Sequence, residues 1–394
     1  MAARLVEARL SDSERLDWLR LIRSENVGPR TFRALIDRCG GAGAALAALP
    51  ELARRGGAGR PIRVAAADEV ERERDEALKL GVRFVAYCEP EYPPALRHID
   101  AAPPILALRG REEALQQPAV AIVGSRNASA AGLAFADRLA RGLGQAGYVV
   151  VSGLARGIDQ RAHVAALATG TIAVLAGGHA KPYPPEAAPL IPRIGESGAV
   201  VSEMPLAWEP RGRDFPRRNR IVSGLALGVI VVEAARGSGS LITARLAAEQ
   251  GREVLAAPGS PLDPRAEGTN DLLRDGATLC ARVDDALNAL EPLRTRDPFS
   301  RLEEPRGGGS VWFDDSADGD TPAIPETREV GEMLVGERVA ALLGPAPVSI
   351  DELARAAEAD VRLVRAALVE LELAGRIERS GGDRVALLAA QSPD

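Results

Sequence analysis

Apolar residues recur three and four positions apart through the first sixty or so residues, in LDWLRLIRSENVG, PRTFRALIDRCGG and AALAALPELARR, and glycines punctuate the stops. That spacing gives each of three helices one apolar stripe, so a small helical domain is predicted. The turn Asn26-Val27-Gly28-Pro29 between the first two is similar to the hairpin of sterile-alpha-motif-like (SAM-like) and helix-hairpin-helix modules. Such a turn serves helix packing in some modules and touches DNA backbone in others, and the sequence leaves both open. A helix around 67–80, the strand VRFVAY and the Pro-rich EYPPALRHIDAAPPILALRG follow.

From Ala119 to about Cys280 the pattern changes to short apolar runs separated by helical stretches. The runs AVAIV, YVVVS, TIAVLA, AVVSE, GVIVVEA and EVLAAP lack a polar face, as strands buried on both sides require. With helices between them they predict a Rossmann-like, doubly wound α/β domain with a mostly parallel sheet, which binds ligands outside the C-terminal ends of its strands. Residues 291–335 have no periodicity and carry 5 basic against 11 acidic side chains, the composition of a disordered acidic linker. Beyond it, ERVAALL, SIDELARAA, DVRLVRAALVELELAG and RIERSGGDRVALL outline three helices and a hairpin, a winged helix. The expected domains are therefore 1–85 (helical), 86–290 (Rossmann-like core), 291–335 (linker) and 336–394 (winged helix). The third helix of a winged helix enters a major groove in DNA readers. Residues 336–394 hold 7 basic and 10 acidic side chains, however, which weakens attraction to phosphate and favours a protein contact.

At 394 residues the chain exceeds one ordinary hydrophobic core. Its 46% hydrophobic and 26% charged residues are globular, and neither a membrane span nor a signal-type apolar stretch is visible, so a cytoplasmic protein is expected. Three scattered cysteines (Cys39, Cys88, Cys280) form no disulfide framework, and three histidines (His98, His163, His179) show no ligand spacing, so neither metal nor cofactor is expected. The net charge of −6 argues against nucleic acid until it is divided. Residues 118–290 hold 18 basic and 16 acidic side chains, whereas 291–394 hold 12 and 21. The middle is nearly neutral, and basic clusters can act locally there.

Three strand ends carry small residues able to present backbone amides to an anion: Gly124-Ser125-Arg126 before a helix, Ser152-Gly153-Leu154-Ala155-Arg156-Gly157, and Arg236-Gly237-Ser238-Gly239-Ser240. In the first, Gly124 would let a phosphate approach and Arg126 would grip it with its planar fork; a satisfied tight turn accounts for the same residues. The third has only the start of GxGxxG, and no GK[ST] ending exists, so dinucleotide and Walker A sites are not supported. Between the fourth and fifth of these strands, Arg211, Arg213, Arg217, Arg218 and Arg220 surround Phe215, with Asn219 among them. A cationic track beside an aromatic face is how single strands are held; an arginine-rich loop with Phe215 in the core is the plainer reading.

The motifs GSR at 124, SGLARGID at 152, AHVAAL at 162, TIAVLAGG with YP at 171–184, SEMP at 202, FPRRNRIVSGLA at 215, GSLITA at 239 and APG with EGTN at 267 stand in an order that resembles the DprA/Smf family over about 170 residues. The resemblance implies sequence-independent binding of single-stranded DNA, loading of the RecA recombinase onto it, a role in natural transformation, and a homodimer. It places the phosphate-holding turn at Gly124, Ser125 and Arg126, and the stacking and basic wall at Phe215 and its neighbours. The strand-binding candidates are thus these four with Gly153, Arg213, Arg217, Arg218, Asn219, Arg220, Ser238, Gly239 and Ser240. Ala180 departs from the acidic residue many members carry before Tyr-Pro, which touches only the local loop.

The competing class is an enzyme, since related domains of the cytokinin-activating LOG group hydrolyse nucleoside monophosphates. Their PGGxGTxxE signature, with its catalytic glutamate, is replaced here by VVEAARGSGSLITARLA. Asp159, Glu203 and Glu233 are read as structural carboxylates near strand ends. A binding protein without catalysis is expected.

Overall fold

A computed structural model describes residues 9–295, 335–380 and 383–388. The described residues form two compact units, one within Arg72–Gly307 and the other joining Leu10–Glu71 to the C-terminal segment.

The second unit begins with α1 (Asp12–Arg23), α2 (Pro29–Cys39) and α3 (Ala42–Arg55). Ser11 and Glu14 form a capping box at the start of α1, which satisfies donors that a helix start leaves open. Gly40 ends α2 in the left-handed region (φ 77°), where a Cβ is disfavoured. Trp18 and Phe32 join α1 to α2 with ring centroids 4.9 Å apart.

The helix α4 (Ala67–Lys79) carries the chain across the boundary between units. The sheet unit follows with β1 (Val82–Ala86), α5 (Pro94–Arg97), β2 (Ile105–Gly110), β3 (Ala119–Gly124), α6 (Ala130–Gln145), β4 (Val149–Ser152), α7 (Ile158–Ala166), β5 (Thr171–Val174), α8 (Leu190–Ser197) and β6 (Ala199–Ser202). It closes with α9 (Asp214–Gly224), β7 (Gly228–Val232), α10 (Gly239–Glu249), β8 (Glu253–Ala256), α11 (Glu267–Arg274), β9 (Thr278–Leu279) and α12 (Val283–Thr295). The strands form one sheet in the order β1-β2-β6-β5-β4-β3-β7-β8-β9. All neighbours from β6 to β9 run parallel, while β1 and β2 are antiparallel additions at one edge.

Both faces of this sheet are covered. Ala121 and Val123 of β3, Val151 of β4 and Val231 of β7 enter one core, while Val120, Ile122, Val150 and Ile230 enter the other. That is why the strand runs have no polar alternation. The chain winds outward from β3 in both directions, so the crevice between β3 and β7 is the topological switch point.

Three expectations are corrected. Val82–Ala86, placed before a boundary at residue 85, is an edge strand of the sheet, because its register with β2 is set by long-range pairing. Residues 291–295, assigned to the linker, continue α12; the remainder of the expected linker lies outside the described residues. The arginine-rich segment after β6, read as a loop, is mostly the first turns of α9.

The C-terminal part of the second unit has α13 (described over 335–342), β10 (Val348–Ser349), α14 (Ile350–Ala356), α15 (Val361–Leu373), β11 (Ile377–Ser380) and β12 (Arg384–Leu387). The three strands pair antiparallel in the order β10-β12-β11. Val339, Leu353, Val364, Leu368 and Val385 share one core, and the arrangement is a winged helix.

Candidate nucleic-acid interface

The turn after β3 puts Arg126 in solvent at the C-terminal edge of the sheet. The aromatic it meets comes from the first turn of α9. Asp214 fixes that turn by accepting from the indole N–H of Trp208 (2.9 Å) and the backbone N–H of Arg211 (2.8 Å). Phe215, the next residue, is half-buried, and the Arg126 guanidinium carbon lies 5.4 Å from its ring centroid, within cation–π range. Tyr183 meets Phe215 edge-on, with centroids 5.4 Å apart and planes at 68°. Tyr183 is 47% exposed, so the aromatic pair is open to solvent on one side.

Between these groups is a pocket of about 260 Å³ whose lining includes Arg126, Gly153, Arg156, Tyr183, Phe215 and Arg218. Arg218 forms its floor and is only 6% exposed. Its Nη1 donates to the carbonyl of Val174 (2.9 Å), while its buried Nε–H has no partner in the structure. Burial pulls this guanidinium down to about 10; Asp159 opposes that shift and Arg126 adds to it. It therefore stays charged at neutral pH. Two cations held near one another in a cleft make a place for an anion.

The other strand-end candidates divide. Gly124 does not clear space for a phosphate: a Cβ there would run into the Val232 carbonyl and Ile158, so the glycine permits close packing against β7 and α7. The helix start behind it is already engaged, because Glu233 accepts from the Ser129 amide (2.9 Å) and the Ser129 hydroxyl. Likewise Asp159 accepts from the amides of Gly153 (3.1 Å) and Ala155 (3.3 Å), and a Cβ on Gly153 would overlap the Arg218 guanidinium. At two of the three loops the protein's own carboxylate sits where an anion was expected. The reading of Gly124 and Gly153 as residues that present free space or amides to phosphate is corrected accordingly. Ser125 keeps its place in the turn beside Arg126, its hydroxyl accepting from the Asn127 amide (3.2 Å).

In the third loop, Ser238 caps α10 by accepting from the Ser240 amide (3.3 Å), and the Asn219 side chain donates to the Gly239 carbonyl (3.1 Å). Ser238, Gly239 and Ser240 lie outside the pocket lining, and the buried Asn219 ties this loop to α9. Among the arginines, Arg213 is exposed and Arg217 is 45% exposed at its side chain, paired with Glu203 at 3.1 Å. Arg220 also pairs with Glu203 and is mostly buried. Asp159, Glu203 and Glu233 thus each engage the chain's own groups: two backbone amides, two arginines, and the amide and hydroxyl of Ser129. Tyr183 and Arg156 line the pocket without being among the strand-binding candidates that the sequence offers, where Tyr183 stands only in the YP motif.

No group of three or more metal-ligating side chains is assembled among the described residues, and none of their helices is long and apolar enough to cross a membrane.

Comparison with known proteins adds a family. Residues 83–291 match the family described as DNA recombination-mediator protein A, residues 12–75 a DprA-like N-terminal HHH domain, and residues 335–383 a DprA winged helix domain. Protein Smf of Escherichia coli is 38% identical over 302 residues, 76% of each chain. DNA processing protein DprA of Streptococcus pneumoniae is 44% identical over 202 residues, 51% of this chain and 71% of that one. The X-ray structure of the Streptococcus pneumoniae protein superposes with a TM-score of 0.59 at 34% identity, covering 71% of this chain and 98% of that one.

Proposed function

Since the chain belongs to the DprA/Smf family of DNA processing proteins, we propose that it binds single-stranded DNA without sequence preference in the Arg126–Phe215 pocket and delivers the strand to the RecA recombinase during DNA uptake. The observation that carries this reading is the stacking of a solvent-exposed guanidinium on an open aromatic face beside a second, buried guanidinium. Phosphate takes the cations and a base takes the ring, a combination that tolerates any sequence because every base has a π face. Arg126, Phe215 and Arg218 are the contacts nearest the strand. Ser125, Arg213 and Arg217 extend the basic edge, and Gly124, Gly153, Asn219, Arg220 and Ser238–Ser240 shape the loops that hold it. The protein works as a cytoplasmic homodimer and catalyses no reaction. A LOG-like hydrolysis is disfavoured because Glu233 has both oxygens engaged by Ser129.

Fluorescence anisotropy with short oligonucleotides of unrelated sequence, at several salt concentrations, tests the reading. Similar affinity for all sequences, falling linearly on a log–log salt plot, is expected; salt-independent binding, or none, sinks it. RecA delivery is tested separately, by the rate of filament nucleation on DNA coated with single-strand-binding protein, with and without this chain.

A further inference from the structure

The C-terminal half of α15 is buried more completely than a winged helix needs. Ala367, Leu368, Val369, Glu370 and Leu371 are five consecutive buried residues, whereas a helix covering one core shows a stripe about a third of its circumference wide. Val364, Ala367, Leu368 and Leu371 face the winged helix's own core. Val369, Glu370 and Leu373 are buried without belonging to that cluster, so a second surface covers them.

That surface is the N-terminal helical module, within the same compact unit. The Glu370 carboxylate is 3.1 Å from Arg38 at the end of α2 and 3.3 Å from Arg55 at the end of α3. Asn26, in the α1–α2 turn, donates to the Leu373 carbonyl at 2.9 Å, one of the carbonyls a helix end leaves open. Arg376 donates to the Gly56 carbonyl at 3.3 Å. Gly56 is a glycine for this approach: a Cβ there would run into the Glu370 carbonyl, which belongs to helix backbone and cannot yield.

We propose that the partner of the winged helix is the chain's own N-terminal helical module, docked in cis on the Val369–Glu370–Leu373 face of α15, and that this face and the Asn26 turn serve that contact and not DNA. The turn that sequence leaves open between packing and DNA, and the helix whose charge favours a protein contact, thus have each other as ligand. The carboxylate at the centre agrees with this, since a helix face built to meet phosphate would not bury one, and a buried carboxylate needs its cations.

Amide hydrogen exchange on the full-length protein tests the assignment with Glu370→Arg, with Gly56→Ala on the opposite surface, and with Glu370→Arg combined with Arg38→Glu and Arg55→Glu. Both single changes are expected to speed exchange about tenfold or more in α3 and in 367–373 while β12 stays protected, since local opening is read segment by segment. The charge swap is expected to restore slow exchange. If Glu370→Arg also exposes β12, Gly56→Ala still tests the contact, because it alters only the helical module. Unchanged exchange of α3 in both single variants overturns the proposal. So does protection of 367–373 that rises with protein concentration, which would mean docking between copies, or protection of that segment by added duplex DNA.

Discussion

Arg126 and Phe215 are 89 positions apart in the chain, yet the guanidinium of one stands 5.4 Å from the ring centroid of the other. The parallel sheet brings them together, because the turn after β3 and the segment after β6 both emerge at the C-terminal edge of the strands. Their different chemistry gives different losses. Arg126→Ala is expected to weaken binding of all oligonucleotides and to lower the slope of log affinity against log salt by about 0.7, one phosphate contact on a single strand. Phe215→Ala is expected to cost about 1–3 kcal/mol of binding with the slope nearly unchanged. Because the two side chains touch, the double variant should lose less than the sum. Folded single variants with wild-type affinity would place the site elsewhere.

Gly153→Ala should act through Arg218. The added methyl overlaps a guanidinium that is itself buried and bonded to the Val174 carbonyl, so the clash cannot be relieved by a swing into solvent. A loss of about 1–3 kcal/mol in folding stability is expected, the range for overpacking a tight site. Urea titration measures it, and a stability equal to wild type would mean that Arg218 is not fixed as described.

Glu233→Ala removes the acceptor of the Ser129 amide and hydroxyl at the start of α6. Loss of such a helix-start acceptor typically costs about 0.5–2 kcal/mol, so a lower melting temperature is expected. No release of free base from nucleoside monophosphates is expected from wild type or variant. Turnover by wild type that disappears in Glu233→Ala would restore the enzymatic reading.

Acid sensitivity should trace partly to His179. Burial holds this imidazole neutral, down to about 4 from 6.5, although its hydrogen bond to the Ala107 carbonyl opposes the shift. Below pH 6.5 the unfolded chain binds a proton there that the folded chain refuses, so the stability it contributes is present above 6.5 and is lost as pH falls towards 4. The limiting slope is about 1.4 kcal/mol per pH unit for one such group. His163, buried and lowered to about 3, adds in the same direction, while the carboxyl of Asp159, raised by burial, runs the other way at its acid end. Comparing His179→Gln with wild type by urea titration at pH 7 and pH 5 isolates the single group. The variant should lose less stability over that interval, and identical losses would contradict the assignment.

The sequence by itself determined the elements and the class of architecture. Apolar runs such as AVAIV and GVIVVEA, without alternation, require strands covered on both faces. The 3–4 spacing of the N-terminal helices, and the helices and hairpin of the winged helix, are likewise local patterns repeated within a few residues. The basic segment around Phe215 and the Gly-Ser-Arg turn were visible in the same way. What tertiary structure decided was the work of individual side chains. Arg217, Arg218 and Arg220 look alike in the sequence; α9 leaves the first half-exposed on Glu203, sets the second in the pocket floor and buries the third against the other oxygen of Glu203. The glycines at 124, 153 and 56 look like flexible positions, and each makes room for a group distant in the chain: Val232, Arg218 and Glu370. Glu233 and Asp159 occupy amides that the loop sequences alone leave free for a ligand. The antiparallel edge strand Val82–Ala86 and the docking of α15 on α3 belong to the same group. Periodicity is a property of neighbours in the chain and can be read from it, whereas these pairings join residues tens to hundreds of positions apart, and only the folded chain brings their complementary shapes and charges together.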